Sequence, residues 1–173
     1  MLSETIENAL NKQIKLEANA SMKYLAMATW AEVIGYGGVS GFFYNQSEEE
    51  RVHMLKLVKF VNERGGKATI PSLDAPKDAY KDLHELFTVF LASEETVTES
   101  INELVFQTLE EKNYTVHNFL QWYVAEQAEE EALARTILDK LKIIGDDKSG
   151  TYLFDKDIES IVAQTEINNT PVA

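Results

Sequence analysis

YNQSEEERVHMLK (44–56) and WYVAEQAEEE (122–131) are the two stretches that decide the fold. Neither contains glycine or proline, and both are rich in good helix formers, so both read as helix. In the first helix Phe43, Met54, Leu57 and Val61 form an apolar stripe. Glu50 and His53 fall inside that stripe, three residues apart and so on one helix face. In the second, Gln127 and Glu130 fall between Tyr123 and Ala134, again on the apolar side. A carboxylate on a buried face is costly unless something compensates it.

Working outward, the chain's eight glycines and three prolines are clustered. Residues 1–34, 42–64 and 77–144 contain neither. Gly35, Gly37, Gly38 and Gly41 mark one break, Gly65 to Pro76 a second, and Gly145 and Gly150 a third. The polar patch EEKNYT (110–115) divides the longest run, with Asn113 suited to a cap or turn. Four long helices are predicted near 3–34, 40–64, 80–111 and 114–143, with a shorter one near 153–165. Each long helix carries an apolar stripe at 3–4 spacing, as in Ile6, Leu10 and Ile14 or Phe87, Phe90 and Val97. The expected fold is all-α: a four-helix bundle over 1–145, then a short C-terminal fifth helix and tail over 146–173. The first and third connections are short, giving antiparallel hairpins. The connection near 65–79 reaches about 50 Å when extended. A helix of about 28 residues is about 42 Å long. This segment can therefore run the length of the bundle as one long crossover and leave the second and third helices parallel.

All four stripes are interrupted near mid-helix. Glu17 interrupts the first, Glu50 and His53 the second, Glu94 the third, Gln127 and Glu130 the fourth. Helix midpoints lie at one level in a bundle, so these side chains converge on one interior point. Four buried carboxylates would not stay ionised together unaided. Two divalent cations would match their charge, and oxygen donors with an imidazole suit Fe(II), Mn(II) or Zn(II). A dinuclear carboxylate centre is therefore expected. Protonation, or pairing with Arg51, Lys56 or Arg135, is the metal-free alternative.

Composition narrows the function. Sixteen basic against twenty-nine acidic residues leave a net charge of −13 over 173 residues. That balance disfavours nucleic acid and anionic membrane as partners and favours cations. The absence of cysteine excludes disulfides, thiolate metal sites and thiol nucleophiles. No run approaches the roughly 20 apolar residues of a membrane span. The N-terminal stretch lacks the apolar region of a secretory signal. A cytoplasmic protein is the expectation.

At Glu17, Tyr24, Glu50, His53, Glu94, Gln127 and Glu130, and in the two stretches quoted above, the chain resembles the bacterial non-haem ferritins along essentially its whole length. The resemblance implies a two-iron ferroxidase centre. Glu17, Glu50 and His53 would hold one iron. Glu94 and Glu130 would hold the other, with Glu50 bridging and Gln127 a weak ligand or hydrogen-bonder. It also implies oxidation of Fe(II) by O2 or H2O2 and a homo-oligomeric shell of 24 subunits that stores ferric mineral. Haem-containing bacterioferritins repeat Glu-x-x-His on the fourth helix, where this chain has Gln127-Ala128-Glu129-Glu130. Their haem-ligating methionine falls where this chain has Arg51, so no haem is expected. The DNA-protecting mini-ferritins place their ligands between subunits and have no need of this intrasubunit set.

Other residues admit two readings. Tyr24, two turns beyond Glu17, either hydrogen-bonds a ligand carboxylate or supplies an electron; otherwise it is a buried tyrosine with a satisfied hydroxyl. Glu49, Glu126 and Glu129 form either a solvated face or, by the resemblance, a third iron site shared with Glu130. Trp122 is expected in the core, and His84 and His117 away from the site. The amphipathic YLFDKDIESIVAQTE (152–166) is too short to stand alone and implies oligomerisation. Iron storage thus competes with a di-iron enzyme acting on an organic substrate or peroxide, and with a metal-free helical interaction protein.

Overall fold

A computed structural model describes the backbone of residues 2–168; the tail at 169–173 lies outside the described residues, as do the side chains of Glu159 and of residues beyond Ser160. Five helices follow in order: α1 (Glu4–Val33), α2 (Gly37–Glu63), α3 (Leu83–Glu110), α4 (Tyr114–Ile144) and α5 (Lys148–Asn168). Side chains cap three of the long ones. Ser3 Oγ accepts from the Ile6 amide at 3.2 Å, Asp82 Oδ1 from the Glu85 amide at 2.8 Å, and Asn113 Oδ1 from the Val116 amide at 3.3 Å. Each satisfies one of the orphan amides of a first helical turn.

Three helix starts differ from the expected ones. α3 begins at Leu83 rather than 80, where Asp82 caps it. α2 begins at Gly37, because only Gly35, with φ +92°, is needed for the turn; Gly37, Gly38 and Gly41 are helical. α5 begins at Lys148 rather than 153. Asp147 Oδ1 and Oδ2 accept from the Ser149 and Gly150 amides at 3.2 and 2.9 Å, so a carboxylate cap starts the helix ahead of Gly150.

α1 packs against α2 and α3, and α3 against α4, whereas no Cα atoms of α2 and α4 come within 8 Å of one another. Close approach of α1 and α2 rests on small side chains. Ser21 Oγ donates to the Ser47 carbonyl at 2.7 Å, and Ser47 Oγ donates to the Ser21 carbonyl at 2.8 Å. The crossover runs along α1 from one end to the other. The Thr69 amide donates to Asn11 Oδ1 at 2.7 Å, the Asp74 amide to Asn19 Oδ1 at 3.2 Å, and Tyr80 sits edge-on against Trp30. It delivers α3 to the far end of the bundle, parallel to α2.

The interior divides into two apolar clusters. One centres on Tyr24, Met27, Phe43, Phe87 and Phe90, the other on Ile6, Leu10, Ile14, Leu57, Leu104 and Leu120. The polar layer formed by the interrupted stripes lies between them.

Candidate metal centre

Each helix delivers its acid to this layer because the acid occupies a stripe position that would otherwise be apolar. Glu17, Glu50 and Glu94 have no exposed surface, and His53, Gln127 and Glu130 are also buried. One ligand atom each from Glu17, Glu50 and His53 lies within 4.8 Å of the others, and His53 Nδ1 is 3.4 Å from Glu50 Oε2. Glu94 and Glu130 face this trio from α3 and α4, near enough for their charges to perturb Glu50.

Burial is the largest cause that pushes the carboxyls of Glu17, Glu50 and Glu130 well above the ordinary carboxylate range. Neighbouring acids add to it: Glu50 on Glu17, Glu94 on Glu50 and on Glu130. Glu94 is also raised by burial, with its hydrogen bonds from Tyr24 and Gln127 opposing. Low permittivity and like charge both favour the neutral acid, and a cation would reverse both effects.

Hydrogen bonds leave a particular set of atoms uncommitted. Glu17 Oε2, both oxygens of Glu50, His53 Nδ1 and Glu130 Oε2 are buried without a hydrogen-bond partner. Buried polar atoms are normally paired. Four of these five lone-pair donors belong to the trio of Glu17, Glu50 and His53, a set that fits a hard to borderline divalent cation. The metal-free alternative of salt bridges does not hold among the described ion pairs. Arg135 pairs with Glu95 and Glu131, Lys56 lies over the Trp122 ring 3.2 Å from its centroid, and Arg51 is exposed.

The remaining predicted residues fall into two groups. Tyr24 is fully buried, and its hydroxyl donates to Glu94 Oε1. Burial, with Glu94 and Glu50 beside it, raises the phenol well above its ordinary value. The Gln127 amide nitrogen donates to Glu94 Oε2 at 3.0 Å and to the Glu94 carbonyl at 3.3 Å, so it orients that carboxylate. On the α2/α4 side a cavity of about 390 Å³ opens to solvent, lined by Glu48, Glu49, Val52, His53, Trp122 and Glu126. Glu49 and Glu126 thus stand at a mouth of the centre, and both act on Glu130 electrostatically. Glu129 is exposed and is not among the residues lining this mouth. Trp122 is a correction to the sequence reading. It is 38% exposed and meets His53 edge-on at 5.1 Å, because the gap between α2 and α4 leaves its face open for Lys56. His84 is exposed and His117 half-buried, both away from the centre.

Sequence reasoning missed two buried amides. Gln13 Nε2 donates to Glu17 Oε1 at 2.8 Å, holding one oxygen and leaving the other free. Gln46 Nε2 donates to Glu49 Oε2 at 2.7 Å. Each precedes a site acid by one helical turn, Gln13 before Glu17 and Gln46 before Glu50. That spacing is the signal that could have found them.

Residues 7–144 match the Ferritin-like domain family. The chain belongs to the ferritin family. A probable bacterial non-heme ferritin-like protein of Haemophilus influenzae is 44% identical over 161 residues, covering 93% of this chain and 98% of that protein. A bacterial non-heme ferritin of Campylobacter jejuni is 39% identical, with 93% and 96% covered. Among solved structures, an open pore ferritin from the archaeon Archaeoglobus fulgidus superposes with a TM-score of 0.90 at 39% identity, covering 92% of this chain and 98% of that one. The long crossover and the bundle are thus the ferritin fold. Among the described residues no helix is long and apolar enough to cross a membrane.

Proposed function

We propose that this ferritin stores iron, oxidising Fe(II) at the buried centre of each chain and keeping Fe(III) as mineral inside a shell of 24 copies. The observation that carries this reading is the set of unpartnered ligand atoms on Glu17, Glu50, His53 and Glu130, held between two apolar clusters. Iron is substrate here. Glu17, Glu50 and His53 receive one Fe(II). Glu94 and Glu130 receive a second, with Glu50 shared between them.

Burial and like charge favour the neutral acids when no metal is bound, so binding releases protons and leaves anionic oxygen donors. Two Fe(II) then give up one electron each to O2 or H2O2; O2 gains two electrons and two protons to leave as H2O2. Gln13 and Gln127 fix Glu17 and Glu94 while the oxidation state changes. The Tyr24 hydroxyl fixes the other oxygen of Glu94. Glu49 and Glu126 at the mouth, with Glu129 outside it, form a third iron site through which Fe(III) leaves for the mineral. Haem has no part in the reading. The cytoplasm is the compartment it implies.

Aerobic addition of Fe(II) tests this against the other two classes. Storage predicts retention of iron far beyond two ions per chain, a di-iron enzyme stops at two, and a metal-free protein keeps none. In the Glu50→Ala/His53→Ala protein the initial oxidation rate should fall by about 100-fold or more, since even the groups behind metal ligands are worth about 10–100-fold. The shell should still assemble, because the apolar faces hold it. An unchanged initial rate removes the ferroxidase assignment from these residues.

A further inference from the structure

The two flanks of the centre differ in sign. The α2/α4 mouth carries Glu48, Glu49 and Glu126. Between α1 and α3 stands the half-buried ammonium of Lys23, whose Nζ donates to Ser93 Oγ at 2.7 Å. Ser93 is the residue before Glu94, and its hydroxyl also faces the Tyr24 phenol. None of the described ion pairs involves Lys23. Burial lowers the Lys23 ammonium from its ordinary value, while the buried Glu94 and Glu50 oppose that shift and favour its charged form. A lysine on a solvated helix face normally extends into water. This one is anchored beside Glu94, on the hydroxyl of the residue before it.

We propose that Lys23 sets the affinity of the second metal position, acting as a fixed positive charge that keeps a cation between Glu94 and Glu130 weakly held. The inference rests on the two-metal reading and adds to it a difference in affinity between the two positions. A +1 charge near Glu94 offsets part of the field that attracts a divalent ion and repels a trivalent one more strongly. Glu94 is the first of the acids that act on Lys23, ahead of the shared Glu50, and Glu17 is not among them, so the first position should respond less. The Ser93 hydrogen bond keeps the ammonium in place without consuming a carboxylate.

The test is anaerobic titration of the assembled apo-protein with Co(II), followed by calorimetry and by Co(II) visible absorption, which resolve the first ion from the second. Lys23→Met keeps the stem and Lys23→Gln keeps a polar head; both remove the charge. Both should bind the second Co(II) about 5-fold tighter, a size typical of one partly screened charge, with a smaller change for the first. Lys23→Arg should match the parent protein, and high salt should shrink the difference. A merely structural role for Lys23 would weaken binding or leave the two ions equally affected. Unchanged or weaker second-ion binding in either neutral variant overturns the proposal and leaves the two-metal reading standing. If the parent protein binds no Co(II), both fall together.

Discussion

At the residue scale, the buried acids make the metal-free protein sensitive to pH in an unusual direction. In the unfolded chain these glutamates titrate near the ordinary value of about 4.3. In the folded chain Glu17, Glu50 and Glu130 titrate well above it, Glu94 somewhat above it, all chiefly because burial disfavours the anion. Below about pH 4.3 both states are protonated and the acids contribute nothing. As pH rises past that value the unfolded chain releases protons that the folded chain retains, so stability falls until the folded values are passed. The apo-protein should therefore melt at a higher temperature at pH 5 than at pH 8, by thermal unfolding followed by circular dichroism. A divalent cation should remove most of the difference, since it displaces the same protons and stabilises the fold by mass action. Melting that rises steadily with pH in the absence of metal contradicts the assignment. These acids were legible in the sequence because a charged residue in an apolar stripe is conspicuous. Gln13 and Gln46 were not, because a neutral amide in a stripe does not stand out until its partner is known. Trp122 was misplaced because it lies near the level of the site, and level along a helix does not say whether the facing helix is close enough to cover a side chain.

At the scale of elements, the long crossover and most helix breaks followed from where glycine and proline fall, and the division at Asn113 from the polar patch EEKNYT (110–115). The ends of α2 and α5 did not. Glycines in a cluster read as one break, but Gly37, Gly38 and Gly41 are compatible with helix once Gly35 has made the turn. The α2 N-terminus also lacks a cap of its own: Tyr36 supplies no side-chain hydrogen bond. Asp155 of α5 supplies it from a distant part of the sequence, its buried Oδ1 accepting from the Val39 amide at 3.0 Å. Local patterning cannot reveal a cap separated by more than a hundred residues. Asp155→Ala should cost about 1 kcal/mol, the usual value of a capping side chain. It should also speed hydrogen exchange in both α5 and the first turn of α2. Faster exchange confined to α5 would mean that α2 does not depend on this contact.

At the scale of the whole molecule, the charge of −13 and the apolar surface both fit the proposed storage shell. Ile143 is 86% and Leu153 64% exposed, and together with Ile144 and Phe154 they line one groove between α4 and α5. An apolar groove of this kind on a small chain needs a partner, and a further copy of the chain is the occupant the storage reading requires. Replacing Ile143 and Leu153 with glutamate should shift the protein to smaller species in size-exclusion chromatography. Fe(II) oxidation should survive, because the centre lies within one chain, while retention of iron should drop. A particle of unchanged size would mean that this groove is not a contact of the assembly. The most direct test of the whole scheme is anomalous diffraction at the iron edge from crystals soaked anaerobically in Fe(II). We expect two peaks inside each bundle, one among Glu17, Glu50 and His53 and one between Glu94 and Glu130; an interior with no iron at either position would contradict it.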